Sequence, residues 1–307
     1  MILKQHSMIH KTMDLQQYLE IDPSNTPLPQ LHQFLLGSVS PRPICFASTI
    51  DAKGQLNLAP FSFFNVVSAN PPVVVFSPNN SGRDGTPKQT YLNAKAVPEV
   101  VVNVVSYAMV QQMNVAAAPW EHGVSEFEKA GFTAVPSDLV KPMRVGESPV
   151  QLECKVIEIK EFGEGGGSGK LIMAQVLKMH INKEVLGADG KLDPFKMNLV
   201  GRMGGAWYCL PGVGSMFELS QPMQPTLGYD RLPEAVRNSK VLTGNELGQL
   251  SALPVEPTQT DYTQALAWLS DQGFENLSLD QWHNREEAAK KLLSAKLVCE
   301  AAALLML

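Results

Sequence analysis

The sequence predicts a mainly β protein, a barrel or sandwich of antiparallel strands, followed by a C-terminal helical extension. Three observations support this prediction. Short apolar and β-branched runs dominate residues 34–208, charged residues are absent from 54–82 and 100–120, and helical patterns of any length appear only after about residue 216. A chain of 307 residues with 44% apolar residues can bury a large core and does not have the composition of a disordered protein.

The strands are predicted from β-type runs separated by turn residues. In chain order these runs are residues 43–49, the run from residue 56, 72–77, 99–106, 150–158 and 171–181. The turn at 51–54 predicts a hairpin between the first two runs, and the glycine-rich stretch 163–169 predicts a hairpin between the last two. Residues 107–114 and 126–130 are the best short-helix candidates in this part of the chain.

The C-terminal part begins with an irregular, proline-rich stretch and continues with two helical patterns. The first pattern covers residues 261–272. The second covers residues 280–305, with Asp280 as the candidate N-cap and with Glu286 and Lys290 as an i,i+4 pair.

Composition and motifs exclude several classes of function. The formal net charge of −5 argues against a general nucleic-acid-binding protein, and both charge-free stretches are too polar or too rich in proline to span a membrane. The first twenty residues lack the apolar run of a secretory signal, and the four cysteines show no metal-ligand or dithiol spacing. We therefore expect a cytoplasmic protein without a metal site. No motif identifies catalytic residues, which remain unknown.

The charge-poor block has the residue types that a planar ligand with an anionic tail requires. Proline-bounded extended backbone leaves N–H and C=O groups available, and phenylalanines provide flat apolar walls. Arg83 and Lys88 follow the long charge-free stretch and could neutralise a phosphate.

The ordered motifs of this block resemble those of the flavin reductase-like, FMN-binding split-barrel family. The resemblance rests on SPRPI at 40–44, NLAPFSFFN at 57–65, NPP at 70–72 and the K-x-T of 88–90, and it continues in VNVV, ESPVQLEC and GRMGGAWY at 102–105, 147–154 and 201–208. It covers roughly residues 31–208. It implies a six-stranded antiparallel split β-barrel that forms a homodimer and binds FMN at the subunit boundary.

The resemblance also implies which residues bind the cofactor. Residues 59–65 would lie along the isoalloxazine ring, and residues 203–208 would approach the flavin or a nicotinamide. The full set of predicted cofactor-binding residues is Arg42, Pro43, Ser48, Thr49, Ala59, Pro60, Phe61, Ser62, Phe63, Phe64, Asn65, Ser77, Arg83, Lys88, Gln89 and Thr90.

Several of these residues have a plain structural alternative. Arg42, between two prolines, is equally well explained as an exposed turn residue. Phe61 and Phe63 would share one strand face, where at least one would belong to the core. Gln89 stands where many relatives carry Asp, which leaves a carboxylate role at that position without support. His180 follows Lys-Met rather than the Gly-Asp that precedes the nicotinamide-associated histidine of some flavin reductases, so a plain surface histidine is the better interpretation.

These observations divide the chain into an N-terminal segment (1–30), an FMN-binding split barrel (31–215) and a C-terminal extension with helices (216–307). The polar stretch 222–254 within this extension is hypothesised to drape over the barrel, over the partner's flavin pocket, with a structural strap that covers an edge strand as the alternative. The leading function is an FMN-dependent oxidoreductase that takes hydride from NAD(P)H and passes electrons to free flavin, a partner monooxygenase or another acceptor. The alternatives are a flavoredoxin-like electron carrier without NAD(P)H activity and a flavin-free binding scaffold.

Overall fold

The computed structural model of the protein describes residues 18–274 and 278–307. The chain folds into two compact units, the first ending at Phe217 and the second comprising Glu218–Leu307. The first unit contains all eleven strands of the described residues.

Five helices of the first unit are α1 (Leu28–Ser38), α2 (Gln89–Ala96), α3 (Val110–Ala116), α4 (Glu126–Ala130) and α5 (Pro194–Met197). Its strands are β1 (Cys45–Ile50), β2 (Leu56–Phe61), β3 (Phe64–Ala69), β4 (Pro72–Phe76), β5 (Glu99–Val104), β6 (Ala134–Val135), β7 (Arg144–Val145), β8 (Val150–Glu161), β9 (Lys170–Ile181), β10 (Gly201–Arg202) and β11 (Tyr208–Cys209). Short 3₁₀ turns at Tyr107–Met109 and Lys183–Val185 complete the unit.

The main sheet is antiparallel and has seven strands in the order β2-β1-β5-β8-β9-β4-β3. Both predicted hairpins are confirmed. Strands β1 and β2 pair from Ile50 opposite Leu56 to Cys45 opposite Phe61, around a turn in which Gly54 has φ +81°. Strands β8 and β9 pair over their whole length.

The expected count of six strands is not confirmed, because the run that begins at Leu56 is divided into β2 and β3. These two strands lie at opposite edges of the sheet yet are joined only by Ser62 and Phe63. Two linking residues span about 10 Å, so the sheet must curl until its edges approach each other. Since β2 and β3 do not pair, the barrel stays open along this seam. The bend also separates Phe61 from Phe63, which therefore do not share a strand face.

Strand β1 is buried on both faces, which is consistent with the absence of charged residues from the strand itself. Cys45 and Ala47 pack into one core cluster with Phe76 and Ile172. Phe46 faces a second cluster, where its ring lies 5.2 Å from that of Phe132. Burial raises the pKa of the Cys45 thiol well above its usual range, so this cysteine is an inert core residue.

The second unit is helical. Its helices are α6 (Glu234–Arg237), α7 (Gly244–Ser251), α8 (Gln259–Asp271), α9 (Trp282–Ser294) and α10 (Val298–Met306). Leucines and alanines from these helices form its own core cluster. Capping boxes begin two of the helices, with Thr243 and Glu246 at α7 and with Thr258 and Asp261 at α8.

The helices differ from the expectations at three points. The pattern over 280–305 is two helices, because Lys296 adopts a left-handed conformation at φ +64° and ends the hydrogen-bonded run. Helix α9 also begins after Gln281 rather than Asp280, without a side-chain cap. Helix α1 lies in a segment for which no helix was expected. None of its residues is buried, so the sequence showed no apolar stripe facing a core.

Replacing Leu292 by Ala is expected to lower the unfolding free energy of the second unit by about 2–5 kcal/mol, because the side chain is fully buried. Urea titration followed by far-ultraviolet circular dichroism measures this loss. Leu266→Ala, at a side chain that is 37% exposed, is the matched control and should cost much less. Equal losses in the two variants would contradict the assignment of Leu292 to the core.

Candidate functional site

A cavity of about 250 Å³ lies between strand β2 and the N-terminal end of helix α2, and is called the β2–α2 cavity below. Seven of the sixteen predicted cofactor-binding residues line it: Ala59, Pro60, Phe61, Arg83, Lys88, Gln89 and Thr90. They come from three segments that are separated in sequence, a strand, a polar loop and a helix start. The fold therefore brings the central part of the predicted site together.

A buried hydrogen-bond network fixes the start of α2 at this cavity. Asn57 Nδ2 donates to Thr49 Oγ1 at 3.1 Å and to Thr90 Oγ1 at 3.0 Å, and Asn93 Nδ2 donates to Thr49 Oγ1 at 3.2 Å. All four side chains are almost inaccessible to solvent. Gln89 Nε2 extends the network by donating to Asn93 Oδ1 at 2.7 Å. Because buried polar groups are costly without partners, this network couples the position of α2 to strands β1 and β2.

The start of α2 has the properties of an anion site. No side chain of the described residues caps this N-terminus, so first-turn N–H groups remain available, and Lys88 occupies the N-cap position. Lys88 and Arg83 are exposed and form no salt bridge within residues 18–274 and 278–307. Two unpaired cations and a helix start at one cavity are suited to a phosphate group.

Glu126 and Trp120 also line the β2–α2 cavity, and the sequence analysis did not include them. Glu126 Oε2 accepts the backbone N–H of Leu58 at 2.9 Å, which satisfies an outward-facing donor of the edge strand β2. Burial raises the pKa of the Glu126 carboxyl, although the Leu58 hydrogen bond opposes this shift. In the sequence, Glu126 is simply the first residue of a predicted short helix, and nothing in this pattern indicates a binding site.

Arg42 lies outside the cavity and holds three segments together. Its guanidinium donates to the carbonyl oxygens of Leu36 at 2.7 Å and of Val39, and to Met203 O at 3.1 Å. The residue is 6% exposed, so the interpretation as an exposed turn residue is wrong. Its side chain ties the C-terminal end of α1 to Met203, the residue that follows strand β10.

The other predicted residues do not line the β2–α2 cavity. Ser48 and Thr49 are fully buried in β1, and Ser48 Oγ has no hydrogen-bond partner in the described part of the chain. Phe64 packs against the sheet core, and Ser77 Oγ donates to Asn79 Oδ1. Phe63 is 36% exposed and lines a neighbouring cavity. The remaining predicted residues outside the β2–α2 cavity are Pro43, Ser62 and Asn65.

Residues 203–208 were expected near the flavin or a nicotinamide. Tyr208 lines a different cavity of about 480 Å³ together with Tyr107 and Arg202. The Arg202 guanidinium lies 4.6 Å from the centre of the Tyr208 ring, and Trp207 is 77% exposed. The structure does not bring this segment into the β2–α2 cavity.

His180 is not the plain surface histidine that was expected. Its side chain is 19% exposed, and Nε2 lies 2.6 Å from Oε1 of Glu153, a carboxylate with no solvent exposure. Glu153 also accepts the backbone N–H groups of Asp138 and Leu139 at 2.9 and 2.6 Å. Burial opposes ionisation of Glu153, but these backbone donors and His180 outweigh it and lower the pKa.

Ligand-type atoms of Asp138, Glu153 and His180 lie within 4.8 Å of one another, an arrangement that could hold a metal ion. Lys178 already binds the Asp138 carboxylate, and the Glu153 oxygens accept backbone donors. Both carboxylates therefore already have partners within the chain. The cluster acts as a clamp that holds residues 138–139 against strands β8 and β9.

Residues 36–196 match the family described as "Flavin reductase like domain", and the chain belongs to this family. An uncharacterised protein of Halalkalibacterium halodurans is 34% identical over 206 residues, which cover 66% of this chain and 97% of the relative. About one third of the present chain therefore lies outside that match.

Two solved structures are similar in fold. Nitrilotriacetate monooxygenase component B from Bacillus cereus is 29% identical, with a TM-score of 0.61, and the match covers 66% of this chain and 98% of that protein. The 2-nitrobenzoate 2-nitroreductase of Pseudomonas fluorescens is 26% identical, with a TM-score of 0.58, and the match covers 68% and 100% respectively. The fold is thus a mainly β, flavin reductase-like split barrel with helices.

Within residues 18–274 and 278–307, none of the helices combines the length and the apolar character needed to cross a bilayer.

Glu153→Gln is expected to destabilise the protein at pH 7 by about 1–3 kcal/mol, because the amide cannot accept all of the buried donors. The folded-state pKa of Glu153 lies below its unfolded value of about 4.5. The stabilisation is therefore present above that value and is lost as the pH falls through the lower, folded pKa.

Urea unfolding at pH 7, 5 and 3.5 tests this pH dependence. The difference between wild type and Glu153→Gln should shrink toward the lowest pH. Glu158→Gln, at an exposed position of the same strand, controls for the loss of a negative charge. A difference that stays constant over this range would show that the Glu153 carboxylate does not contribute through its ionised form.

Proposed function

We propose that this protein binds FMN in the β2–α2 cavity and acts as a flavin reductase-type oxidoreductase. The observation that carries the proposal is the convergence of seven sequence-predicted residues on one cavity, beside the start of helix α2 and the two cations Arg83 and Lys88. The family supports the same proposal. So does the similarity to a monooxygenase component and a nitroreductase, both above 25% identity.

The residues of the cavity fit the parts of an FMN molecule. Lys88, Arg83 and the first-turn N–H groups of α2 would hold the phosphate. Ala59, Pro60 and Phe61 would lie along the ring system, and Trp120 would be a further wall of this space. The chemistry that a bound flavin supplies is the reversible acceptance and donation of two electrons. The residues of this chain bind and orient it, and the apolar wall excludes water.

The full proposal includes a reduced nicotinamide as the hydride donor and a homodimer as the functional assembly. Electrons would pass to free flavin, to a partner monooxygenase or to another acceptor. The C-terminal unit is proposed to be an appendage to the flavin-binding barrel.

Light scattering of the purified protein tests the proposed homodimer. A monomer at micromolar concentration would contradict it.

One observation favours an electron carrier as the second candidate function. His180 contacts the buried carboxylate of Glu153 and is not preceded by Gly-Asp, so the nicotinamide-associated motif of some flavin reductases is absent at this position.

Anaerobic mixing of the FMN-loaded protein with NADH or NADPH separates the two candidates. A reductase bleaches its flavin within the time of turnover, whereas a carrier remains oxidised until another protein reduces it.

Lys88→Ala is expected to weaken FMN binding about 10- to 100-fold, because it removes a charge-assisted contact to the phosphate. Fluorescence titration of the apoprotein with FMN measures the dissociation constant. Lys53→Ala, in the exposed turn between β1 and β2, is the control and should leave it unchanged.

Comparison with riboflavin, which lacks the phosphate, sharpens this test. Riboflavin binding should be almost insensitive to Lys88→Ala. If the variant bound FMN as tightly as the wild type, Lys88 would be a surface residue and the phosphate would lie elsewhere. Absence of any FMN binding by the wild type would reject the proposed function.

A further inference from the structure

The end of the β8–β9 hairpin, residues 161–170, contacts both segments that carry the cations of the β2–α2 cavity, and is called the hairpin end below. One segment is the polar loop 77–88, which contains Arg83. The other is helix α2, with Lys88 at its N-cap. The buried network around Thr49 fixes α2 but includes no residue of the loop before Lys88, so the position of Arg83 depends on other contacts.

The loop is held against the hairpin end by hydrogen bonds in both directions. The backbone N–H of Asn80 donates to Ser168 O at 3.0 Å, and the N–H of Gly167 donates to Asn80 O at 3.1 Å. Asn79 Nδ2 adds a bond to Gly167 O at 3.1 Å. Asn80 Nδ2 adds another to Glu164 O at 2.9 Å. Because Asn80 is 5% exposed, its bonds are shielded from water and fix the loop at this point.

Arg83 lies in a closed turn directly after this anchor. The N–H of Ser81 donates to Thr86 O at 2.8 Å, and the N–H of Gly85 donates to Ser81 O at 2.9 Å. The hairpin backbone packs closely against this turn, since a Cβ on Gly166 would lie 3.1 Å from Ser81 O. A side chain at position 166 would therefore displace the turn that carries Arg83.

Lys170 connects the hairpin end to helix α2. The residue is 3% exposed, and its Nζ donates to Glu161 Oε2 at 3.1 Å and to Gly163 O at 2.8 Å. Glu161 Oε1 accepts the hydroxyl of Tyr91, a residue of α2, at 2.6 Å. The Lys170 ammonium also lies 5.4 Å from the centre of the Tyr91 ring. Hydrogen bonds from Tyr91 and Lys170 lower the pKa of the Glu161 carboxyl to about 2, so this acceptor is ionised at neutral pH.

The backbone of Lys170 reaches the start of the loop. Its N–H donates to Ser77 Oγ at 2.9 Å, and Ser77 Oγ donates to Asn79 Oδ1 at 2.7 Å. One residue therefore contacts α2 with its side chain and the loop with its main chain. Since a buried ammonium is costly without its partners, Lys170 favours a single arrangement of these three segments.

We infer that the hairpin end is the positioning element for recognition of the ligand's phosphate, with Lys170 and Gly166 as its positioning residues. Lys170 holds α2, which begins next to Lys88, and Gly166 sets the separation between the hairpin and the turn of Arg83. Both act through the two cations and not by contact with the ligand. The inference rests on the proposed function, because it takes FMN as the ligand.

The ratio of the dissociation constants of riboflavin and FMN measures this role, because the two ligands differ only by the phosphate. Fluorescence titration of the full-length apoprotein gives both constants. A residue that only stabilised the fold would change the folded fraction and so weaken both ligands by the same factor, which leaves the ratio unchanged. A positioning residue lowers the ratio, because only FMN binding suffers.

Gly166→Ala and Gly165→Ala form a matched pair. The methyl group of Gly166→Ala meets Ser81 O, whereas a Cβ on Gly165 reaches only Ser168 Oγ, at 4.0 Å. Neither glycine has a left-handed φ, so alanine adds no backbone strain at either position. We expect Gly166→Ala to lower the ratio about fivefold and Gly165→Ala to leave it unchanged. Equal ratios in the two variants would contradict the role of Gly166.

Lys170→Met removes the buried ammonium and keeps a long apolar side chain. We expect it to lower the ratio about tenfold. Lys160→Met, at an exposed position of β8, is the control and should leave the ratio unchanged. An unchanged ratio in folded Lys170→Met would make Lys170 a purely structural residue. Urea unfolding shows whether the variant folds, and if it does not, the glycine pair decides the inference.

Hydrogen exchange of the ligand-free protein tests the anchoring of the loop without flavin. Peptides covering residues 77–88 should exchange at least about fivefold faster in Gly166→Ala than in Gly165→Ala, because the loop is pushed from its hydrogen-bond partners. Equal exchange would contradict the anchoring. Tight FMN binding with unchanged ratios in Gly166→Ala and Lys170→Met would overturn the inference and leave the proposed function intact, whereas absence of FMN binding by the wild type would reject both.

Discussion

The buried hydrogen-bond network around Thr49 is the constraint on which the candidate site depends. It joins two strands to the first turn of α2 through side chains that are almost completely shielded from solvent. In such surroundings a missing partner is costly, so the helix start cannot shift without breaking several bonds at once. The exposed cations Arg83 and Lys88 are not members of this network, so the geometry of the site is carried by the buried amides and hydroxyls.

A second constraint is the open seam of the barrel. Strands β2 and β3 occupy opposite edges of the sheet, and the two-residue link at Ser62 and Phe63 brings those edges together without pairing them. Arg42 binds Ser62 Oγ at 3.4 Å and the end of α1 at the same time. The seam therefore has a helix anchored beside it, with one cavity on the β2 side and another under the helix. Both cavities share the same two cations, which gives this region a local positive charge in an acidic protein.

Much of the β framework could be predicted from local patterns, since alternation and turn residues reflect the pleat and the hairpin directly. The ordered motifs also led to the family and to the seven residues that line the β2–α2 cavity. The bend at Ser62, the break at Lys296 and the clamp of Glu153 and His180 could not be predicted. Each depends on contacts between segments far apart in sequence or on a single backbone conformation that the residue type does not favour.

The sequence by itself determined the charge-free strands, the antiparallel hairpins, the separate helical end and the residue types suited to a phosphate and a planar ring. These properties follow from side-chain period and composition, which act over a few neighbouring residues. Only the tertiary structure decided that Arg42 is a buried tie, that Glu126 and Trp120 join the site, and that one hairpin end holds both segments that carry the cations. Such features depend on the curvature of the sheet and on burial, which arise when distant segments pack together.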